Sequence, residues 1–510
     1  MTFTDQRGAT TSQNGHTAHR TLTVSNPVTG AKLGDVPVTS PDDVREAVRR
    51  ARIAQRIWAA QSVKDRLLVL TRFAELLWEH QREAMDTIRA ETGKTDTGAF
   101  LEVLLIDHTA TWLKHNADGL LKPETRSAMF PLIQTATVHH KPHGVVGFIT
   151  PWNYPMLLVF IDVLPALAAG NAAVIKPSEL TPYSTLYGVD LMVQAGVPRD
   201  LVQVVTGDSE TGRALVDSVD YLSFTGSTEV GRKVAQQAAG RLIGMTMELG
   251  GKDAAIVLRD ADLDLAATNI IVTALENAGQ TCISLERVYV EAPVYHAFIE
   301  KVQQYLQDFT LGSERGFAVN MGSMISPAQL EKVEAQVADA VAKGAKLICG
   351  GKRRPDLGPL FYEPAVLADV DHTMDVMTEE TFGPLIPIMR VEHEGEAITL
   401  ANSTSFGLSG AIYTRDLALG EHLATQLNTG DVSVNRAGMV PFAAGLPWGG
   451  QKDSGMGRRG GREGLLRFVS QQSVVVDRQW GAEAVIAGLN PRVLNAILVM
   501  RKIRRWIPFI

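Results

Sequence analysis

The chain has 510 residues, a formal net charge of -7, 45% hydrophobic residues and 21% charged residues. This length predicts two or three domains, the composition is that of an ordinary globular protein, and the negative charge gives no basic field to attract nucleic acid. With only two cysteines in the sequence, neither a disulfide framework nor a cysteine-rich metal site is expected.

The N-terminal part reads as a polar tail followed by helices. Residues 1–20 contain no apolar run of the kind found in secretory signals or membrane spans, so we expect a disordered tail and a cytoplasmic protein. The sequence Ser40-Pro41-Asp42-Asp43 supplies a cap, a first-turn proline and two acids, which predicts a helix start. Helical patterning over residues 64–89 and 99–119 makes this region largely helical.

A β-branched stretch at residues 129–141 predicts extended structure, and three histidines lie in or beside it: His139, His140 and His143. Neighbouring side chains of a strand face opposite sides, and no acid or cysteine lies nearby. We therefore interpret the histidines as solvated surface residues and predict no metal site.

From Gly144 onward, apolar strands alternate with helices. The predicted strands are 145–150, 172–175, 202–205 and 221–224. This pattern is typical of a parallel sheet with crossover helices that binds a nucleotide. The last of these strands runs into Gly226 and Ser227, and a helix predicted from Thr228 would offer its free N–H groups to a pyrophosphate.

A second alternation of strands and helices starts at Asp253. Its predicted strands are 254–258, 287–290, 346–349, 411–414 and 432–435. Cys349 ends one of them and is interpreted as structural.

Two residues carry reactive groups in unusual surroundings. Gly279-Gln280-Thr281 leads into Cys282, which predicts a tight approach to a helix start, where backbone N–H groups and the helix dipole would lower the thiol pKa. Glu248 lies between Met247 and Leu249 and before two glycines. Partial desolvation would raise its pKa toward neutrality, as suits a general base.

Together with these two segments, three further motifs resemble signatures of the aldehyde dehydrogenase superfamily, in the order in which they occur there. The five are Pro151-Trp152-Asn153-Tyr154-Pro155, Phe224-Thr225-Gly226-Ser227-Thr228-Glu229-Val230-Gly231, Met247-Glu248-Leu249-Gly250-Gly251-Lys252, Gly279-Gln280-Thr281-Cys282 and Glu380-Thr381-Phe382-Gly383-Pro384. The resemblance covers roughly residues 24–477.

The resemblance implies an α/β fold with three parts. A Rossmann-like NAD-binding domain is expected at residues 21–121 and 143–250, and a catalytic domain at 251–450. A small β element for oligomerisation, at 122–142 and 467–478, implies a homodimer or homotetramer. Its segment near Phe468 is expected to pair with the one near Thr135 across subunits.

The resemblance also implies roles for individual residues. Cys282 would be the nucleophile, Glu248 the general base, and Asn153 a donor to the oxyanion. The cofactor-binding residues would be Thr150, Trp152, Lys176, Ser178, Glu179, Gly207, Thr225, Gly226, Ser227, Val230, Leu249, Glu380 and Phe382. Glu179 favours NAD over NADP, because a carboxylate accepts hydrogen bonds from ribose hydroxyls and repels a 2′-phosphate.

The substrate is predicted from what the pocket lacks. The segment around Cys282 is similar to that of succinate-semialdehyde dehydrogenases, in which two arginines commonly bind the distal carboxylate. Ile161 and Glu276 occupy those positions here. We therefore predict an uncharged, apolar aldehyde, aliphatic or aromatic. The predicted pocket residues are Met156, Leu157, Phe160 and Phe442.

Three alternatives are kept beside this prediction. Succinate semialdehyde is the alternative substrate. Transfer of the acyl group to coenzyme A is disfavoured by Glu248, which would activate water. A non-catalytic structural or binding oligomer on the same fold would be expected to lose the thiol or the base, and both are present.

The C-terminal residues 485–510 carry a distinct pattern. Apolar residues recur at helical spacing from Val493 to Ile507, four basic residues lie between Arg501 and Arg505, and no acid follows Glu483. This pattern is typical of a basic amphipathic helix at a membrane surface. A helix docked on its own oligomer is the alternative.

Overall fold

The computed structural model describes residues 20–128 and 134–478, together with residues 491, 495, 498, 499 and 501. The chain divides into two compact units, Met1–Leu120 with Pro142–Phe468 and Leu121–Lys141 with Val469–Ile510. The predicted N-terminal tail lies outside the described residues except for Arg20. The predicted C-terminal basic helix lies outside them except for the five isolated positions.

Strands and helices are numbered in chain order. The strands are β1 (Thr21–Ser25), β2 (Lys32–Pro37), β3 (Glu124–Arg126), β4 (Gln134–Pro142), β5 (Val145–Ile149), β6 (Ala172–Lys176), β7 (Val202–Val204), β8 (Tyr221–Thr225), β9 (Gly244–Glu248), β10 (Asp253–Val257), β11 (Leu285–Glu291), β12 (Lys346–Cys349), β13 (Ala365–Ala368), β14 (Leu385–Val391), β15 (Gly410–Tyr413), β16 (Ser433–Val434), β17 (Gly455–Met456) and β18 (Val469–Asp477). The α-helices are α1 (Pro41–Ala59), α2 (Val63–Glu79), α3 (Gln81–Thr92), α4 (Asp96–Leu120), α5 (Leu157–Ala168), α6 (Pro182–Gln194), α7 (Ser209–Val216), α8 (Thr228–Gly240), α9 (Leu263–Leu275), α10 (Tyr295–Gln307), α11 (Pro327–Ala342), α12 (Asp375–Thr378), α13 (Glu394–Ala401), α14 (Leu417–Ala424) and α15 (Gly461–Leu466).

The N-terminal segment forms a hairpin of β1 and β2 and then four helices. The helix predicted after Ser40 is confirmed, and the Ser40 hydroxyl accepts a hydrogen bond from the Asp43 N–H as its cap. The helical pattern over residues 64–89 corresponds to two helices, because α2 ends and α3 begins at His80.

The first large sheet has six strands in the order β17-β9-β8-β5-β6-β7. Strands β5 to β9 run parallel, and β17 joins the edge antiparallel to β9. The predicted alternation of strands and crossover helices from Gly144 onward is therefore confirmed. The carboxyl ends of β8, β5 and β6 lie side by side, which is where α/β sheets bind ligands.

The second large sheet has seven strands in the order β12-β13-β14-β11-β10-β15-β16. The five strands predicted here correspond to β10, β11, β12, β15 and β16. Strands β13 and β14 went unpredicted. β13 is a run of four buried apolar residues without alternation, and β14 contains Pro387, so neither shows the usual strand pattern. The chain thus has the predicted α/β architecture.

The second unit contains a three-stranded sheet in the order β18-β4-β3. The expectation that the segment near Phe468 pairs with the one near Thr135 across subunits is corrected here, because β18 is hydrogen-bonded to β4 of the same chain. Among the described strands, β18 is consequently at the edge of this sheet. It exposes Val475 and Val476, with 61% and 53% of their surface accessible.

Among the described residues, no helix is both long and apolar enough to cross a membrane. Within the same ranges, no group of three or more His, Cys, Asp or Glu side chains is arranged to hold a metal ion.

Candidate active site

Cys282 lies in a turn between a short 3-10 helix, Glu276–Gly279, and strand β11. Three successive residues before it have a left-handed backbone: Asn277 (φ 51°), Ala278 (φ 56°) and Gly279 (φ 70°). A Cβ at Gly279 would collide with the carbonyl oxygen of Gly383, so this position requires glycine. Backbone strain of this kind is concentrated at functional sites.

The prediction that Cys282 begins a helix is wrong. Helix α9 ends at Leu275, before the cysteine, and the chain after Cys282 enters a strand. The predicted lowering of the thiol pKa is also wrong. Burial raises the pKa of Cys282 to about 12, Asp253 adds to the rise, and the guanidinium of Arg459 opposes it.

Glu248 is the last residue of β9, and only 4% of it is exposed. Its Oε1 atom is buried and has no hydrogen-bond partner among the described residues. Burial raises its pKa to about 7, while Arg459 and Arg467 act in the opposite direction. The predicted desolvation of this carboxylate is confirmed. A buried carboxyl group that is half ionised near neutral pH is suited to accept a proton from water.

Cys282 and Glu248 belong to one electrostatic neighbourhood. The charge of Glu248 raises the pKa of Cys282, and the charge of Arg459 is coupled to both groups. The backbone also joins them, since the segment after Glu248 turns at Gly251, where a Cβ would collide with the Cys282 carbonyl oxygen. Two residues 34 positions apart in the sequence are thereby brought together.

Asn153 is buried beside the loop that precedes Cys282. Its side-chain Nδ2 donates to the Gln280 carbonyl over 3.0 Å. Its Oδ1 is buried and meets no hydrogen-bond partner in the part of the chain that the structure describes. The Asn277 amide donates to the carbonyls of both Asn153 and Gln280, over 3.1 and 3.2 Å. The Asn153 amide thus uses one N–H to hold the loop and retains a second.

A cavity of about 620 Å³ opens at Cys282. Apolar side chains from α4, α5, α9 and the loop after β16 form most of its wall, including Leu105, Trp112, Leu157, Val272, Met439 and Phe442. Its volume lies within the range of roughly 300–1,000 Å³ that is typical of pockets for drug-sized ligands. The predicted residues Leu157 and Phe442 thus line the cavity.

The prediction for Met156 and Phe160 is corrected by the structure. Both are fully buried, and neither lines the cavity. Phe160 packs against Phe73 of α2, with ring centroids 5.1 Å apart, because α5 turns this face toward the helical layer. The cavity side of α5 carries Leu157 and, one turn later, Ile161.

Ile161 and Glu276, the two residues at the positions of the absent arginines, both line the cavity. Glu276 accepts a hydrogen bond from the Tyr154 hydroxyl over 3.0 Å. Burial raises its pKa. The exposed residue Arg436 also lines the cavity.

Several predicted cofactor-binding residues meet at the carboxyl edge of the six-stranded sheet. Thr150 follows β5, Lys176 ends β6 and Thr225 ends β8, and these strands are neighbours. Within the described ranges, the Thr150 hydroxyl is buried without a hydrogen-bond partner. Lys176 Nζ lies 2.9 Å from Glu179 Oε1, and 40% of the Glu179 side chain is exposed. These donors and acceptors fit a nucleotide ribose.

The amino end of α8 lies beside this edge. Ser227 caps the helix by accepting a hydrogen bond from the Val230 N–H, and Val230 is 46% exposed. At Gly226 a side chain would collide with Phe224, so the chain passes close to the strand. The end of this helix therefore fits an anionic group such as a pyrophosphate.

A second group of predicted residues lies nearer to Cys282. The Glu380 carboxylate accepts a hydrogen bond from the Gly251 N–H over 2.9 Å, and burial raises its pKa to about 7. Trp152 and Phe382 form an edge-to-face pair with centroids 5.4 Å apart. Of the remaining predicted residues, Ser178 and Leu249 are buried. Gly207 has a φ of 156°, and a Cβ there would collide with the Thr211 side chain.

Sequence reasoning missed an ion pair that holds the Asn153 segment. Lys94 and Glu102 are fully buried and 2.7 Å apart. Lys94 also donates to the Asn153 carbonyl over 2.7 Å, while Glu102 accepts from the N–H groups of Met156 and Leu157. No local pattern signals this pair, because its partners lie more than 50 residues away along the chain.

The sequence profile of the aldehyde dehydrogenase family matches residues 14–474. The chain belongs to the aldehyde dehydrogenase family. Membership assigns it to the oxidoreductases that act on aldehydes, as the sequence motifs predicted.

Three relatives of this aldehyde dehydrogenase differ in the substrate that their names give. A candidate succinate-semialdehyde dehydrogenase [NADP(+)] of Mycobacterium ulcerans is 44% identical over 465 residues, which cover 90% of this chain and 89% of that protein. A 4,4′-diapolycopene aldehyde oxidase of a Methylomonas species is 38% identical and covers 90% and 86%. The crystal structure of Staphylococcus aureus betaine aldehyde dehydrogenase with NAD+ has a TM-score of 0.86 at 32% identity and covers 90% and 92%.

Proposed function

We propose that this aldehyde dehydrogenase oxidises an uncharged, apolar aldehyde to the carboxylic acid with NAD. The observation that carries the proposal is a thiol on the wall of an apolar cavity, electrostatically coupled to a buried carboxylate whose pKa is raised to about 7. Neither a binding protein nor a structural oligomer has use for this pair.

Cys282 is the proposed nucleophile. Its thiol gives its proton to the Glu248 carboxylate, which releases it to solvent. The sulfur attacks the aldehyde carbon, and the carbonyl oxygen becomes an oxyanion that accepts hydrogen bonds from the second Asn153 amide N–H and the Cys282 backbone N–H. A bound nicotinamide would supply the acceptor for the hydrogen and electron pair that leave this carbon. Glu248 then removes a proton from the water that hydrolyses the thioester on Cys282.

The proposed cofactor site has two parts. Lys176 and Glu179 would bind the adenosine ribose, with the end of α8 and its cap Ser227 at the pyrophosphate. Glu380 and Phe382 would hold the ribose beside the nicotinamide. The exposed carboxylate of Glu179 favours NAD, since a 2′-phosphate would meet a like charge. The name of the mycobacterial relative specifies NADP(+), so both cofactors belong in the test.

The proposed substrate is apolar because most of the cavity wall is apolar and because an acid, Glu276, stands at one of the two positions where the family resemblance places a carboxylate-binding arginine. Its volume exceeds what a four-carbon substrate requires and accommodates a long or cyclic aldehyde. The diapolycopene aldehyde named for one relative is of this kind. Succinate semialdehyde is the second candidate, favoured by Arg436, Arg459 and Arg467 at the cavity and by the name of the mycobacterial relative.

A substrate panel tests the proposal. Formation of NADH or NADPH is followed by absorbance with succinate semialdehyde, hexanal, benzaldehyde and dodecanal, without coenzyme A, and kcat/KM is compared. We expect the apolar aldehydes to be the better substrates, with NAD the better cofactor. A higher kcat/KM for succinate semialdehyde would establish the second candidate. Turnover that required coenzyme A would exclude hydrolysis by Glu248.

We also propose that the protein is a homodimer or homotetramer assembled through the sheet of the second unit. An edge strand with exposed valines, as in β18, is suited to pairing with another chain. For the C-terminal residues 485–510, contact with a membrane surface remains the sequence-based proposal. Detergent-free fractionation of the full chain and of a truncation at residue 484 tests it, and the docked alternative predicts no difference between them.

A further inference from the structure

The wall of the active-site cavity contains a buried cluster of two arginines and one aspartate. Arg459 Nε lies 3.0 Å from Asp162 Oδ1, and Arg459 Nη2 lies 2.8 Å from Asp162 Oδ2. Arg467 Nη2 donates to the same carboxylate. The three side chains are 2–8% exposed, and both arginines line the cavity.

The cluster carries unbalanced charge. Two guanidinium groups share one carboxylate, which leaves one positive charge. Asp162 already accepts a further hydrogen bond from the Ser223 hydroxyl over 2.8 Å. Among the described residues, the Nε and Nη1 atoms of Arg467 are buried without hydrogen-bond partners. The other carboxyl group on which both arginines act is that of Glu248. A surplus charge in a buried setting is poorly screened.

The arginine cluster lies on the same face of the six-stranded sheet as the proposed base, Glu248. Thr225 of β8 is paired in register with Glu248 of β9, and paired residues of parallel strands point to the same face. Arg459 Nη2 donates to the Thr225 hydroxyl, and Ser223, two residues earlier on that face, contacts Asp162. The cluster and the Glu248 carboxylate therefore share one face of the sheet.

Acidic groups around Cys282 and Glu248 oppose the ionisation of both residues, and the two arginines favour it. Asp253, Glu248 and Glu380 surround Cys282 and raise its pKa, and Arg459 lowers it. For Glu248, Asp162 raises the pKa, and Arg459 and Arg467 lower it. The proposed reaction needs a thiolate at Cys282 and a carboxylate at Glu248, both of which burial disfavours.

We infer that Arg459 is a positioning residue whose charge, left unbalanced because Asp162 is shared with Arg467, makes the ionised forms of Cys282 and Glu248 accessible. The inference deepens the proposed function and rests on it for the roles of these two residues. Arg459 itself exchanges no proton and forms no bond with the substrate.

Alkylation of Cys282 by iodoacetamide tests the inference without any aldehyde turnover. The Cys349→Ser background leaves Cys282 as the one cysteine of the chain, and the rate is measured against pH with and without NAD. For Arg459→Met we expect the rate at pH 8 to fall about tenfold, as for a rise of one unit in the thiol pKa. Arg459→Lys, which keeps the charge, should restore most of the rate.

Asp162→Asn provides the opposite change. Loss of the shared carboxylate increases the surplus charge, so the alkylation rate at pH 8 should rise. Arg467→Met should lower this rate by less than Arg459→Met does. If one of these three variants does not fold, each of the others still tests the role of the arginine charge by itself.

The matched control is Arg66→Met. Arg66 is a buried arginine that, among the described residues, donates to backbone carbonyls, including that of Gln61 over 2.7 Å. Its replacement should lower the melting temperature and leave the alkylation rate at pH 8 unchanged. An unchanged rate in any folded Arg459→Met or Asp162→Asn protein overturns the inference. A changed rate in an enzyme that oxidises no aldehyde would instead contradict the proposed function alone.

Discussion

Two side chains determine whether this site can carry out the proposed chemistry. Cys282 supplies the sulfur on the cavity wall, and Glu248 supplies a buried carboxyl group with an unpartnered oxygen. Burial raises the pKa of both groups, to about 12 and about 7. The Cys282 thiol is therefore protonated in the resting site. The positive charge of Arg459 opposes the rise in its pKa that burial causes.

Replacement of the nucleophile should abolish turnover. For Cys282→Ala we expect kcat/KM to fall by roughly 10⁴-fold or more, since no other group on the cavity wall can form the thioester. The measurement is NADH formation with the best aldehyde of the panel. The matched control is Cys349→Ser, which should retain full activity because Cys349 ends strand β12, away from this cavity. Intact turnover in Cys282→Ala would refute the mechanism.

Replacement of the base should slow hydrolysis and alter the pH dependence. In the parent enzyme we expect kcat to rise with pH through about 7 as Glu248 ionises. For Glu248→Gln we expect kcat to fall by roughly 10²–10⁴-fold and the rise near pH 7 to disappear. Steady-state rates from pH 5 to 9 measure both effects. A variant that kept the rise would assign it to another group.

Glu248→Gln should lower kcat but raise the stability of the fold above neutral pH. The folded-state pKa of Glu248, about 7, lies above its ordinary value of 4.5, so its contribution to stability is present below pH 4.5 and is lost as pH rises through about 7. Glu248→Gln removes this loss. Its free energy of unfolding relative to the parent should increase by roughly 2–3 kcal/mol between pH 4.5 and 8, measured by urea denaturation.

At the scale of elements, the site depends on where strands and helices end. The loop between α9 and β11 positions Cys282 through three left-handed residues, and the carboxyl ends of β5, β6 and β8 gather the proposed cofactor ligands. Such ends can tolerate few substitutions, because backbone atoms approach each other closely there.

A methyl group added at Gly279 should destabilise the loop before Cys282. In Gly279→Ala, the Cβ would collide with the Gly383 carbonyl, and the left-handed φ of 70° would be strained. We expect a melting temperature lower by several degrees, corresponding to roughly 1–3 kcal/mol, and a loss of activity larger than the loss of folded protein. Gly240→Ala is the control, since nothing lies within 4 Å of its Cβ position.

The loop after β6 should set the choice of cofactor. In Glu179→Gln, removal of a carboxylate should raise kcat/KM for NADP relative to NAD by about tenfold or more, because a like charge a few ångströms from a phosphate costs roughly 1–4 kcal/mol. Initial rates with both cofactors measure the ratio. Glu421→Gln, at an exposed acid in α14, should leave it unchanged. An unchanged ratio in Glu179→Gln would remove the argument for NAD.

At the scale of the whole molecule, the second unit offers an edge strand with exposed valines. A double substitution, Val475→Lys with Val476→Lys, should shift the protein toward monomers, because charged side chains on an edge strand oppose pairing. Light scattering coupled to size-exclusion chromatography measures the mass. Leu242→Lys, at a 95% exposed position in the first unit, should leave the mass unchanged. An oligomer unaffected by the double substitution would exclude assembly through β18.

Sequence alone determined the family, the α/β architecture, the two alternations of strands and helices, and the thiol and carboxylate proposed for the chemistry. These are local properties, since motifs, caps and apolar periodicity are written over a few neighbouring residues. Only the tertiary structure decided that Cys282 follows a strained turn instead of opening a helix, that Phe160 packs against Phe73 while Ile161 faces the cavity, and that Arg459 shares Asp162 with Arg467 beside Glu248. Each depends on contacts between residues distant in the chain, and burial, which sets the pKa of both reactive groups, exists only once those contacts have formed.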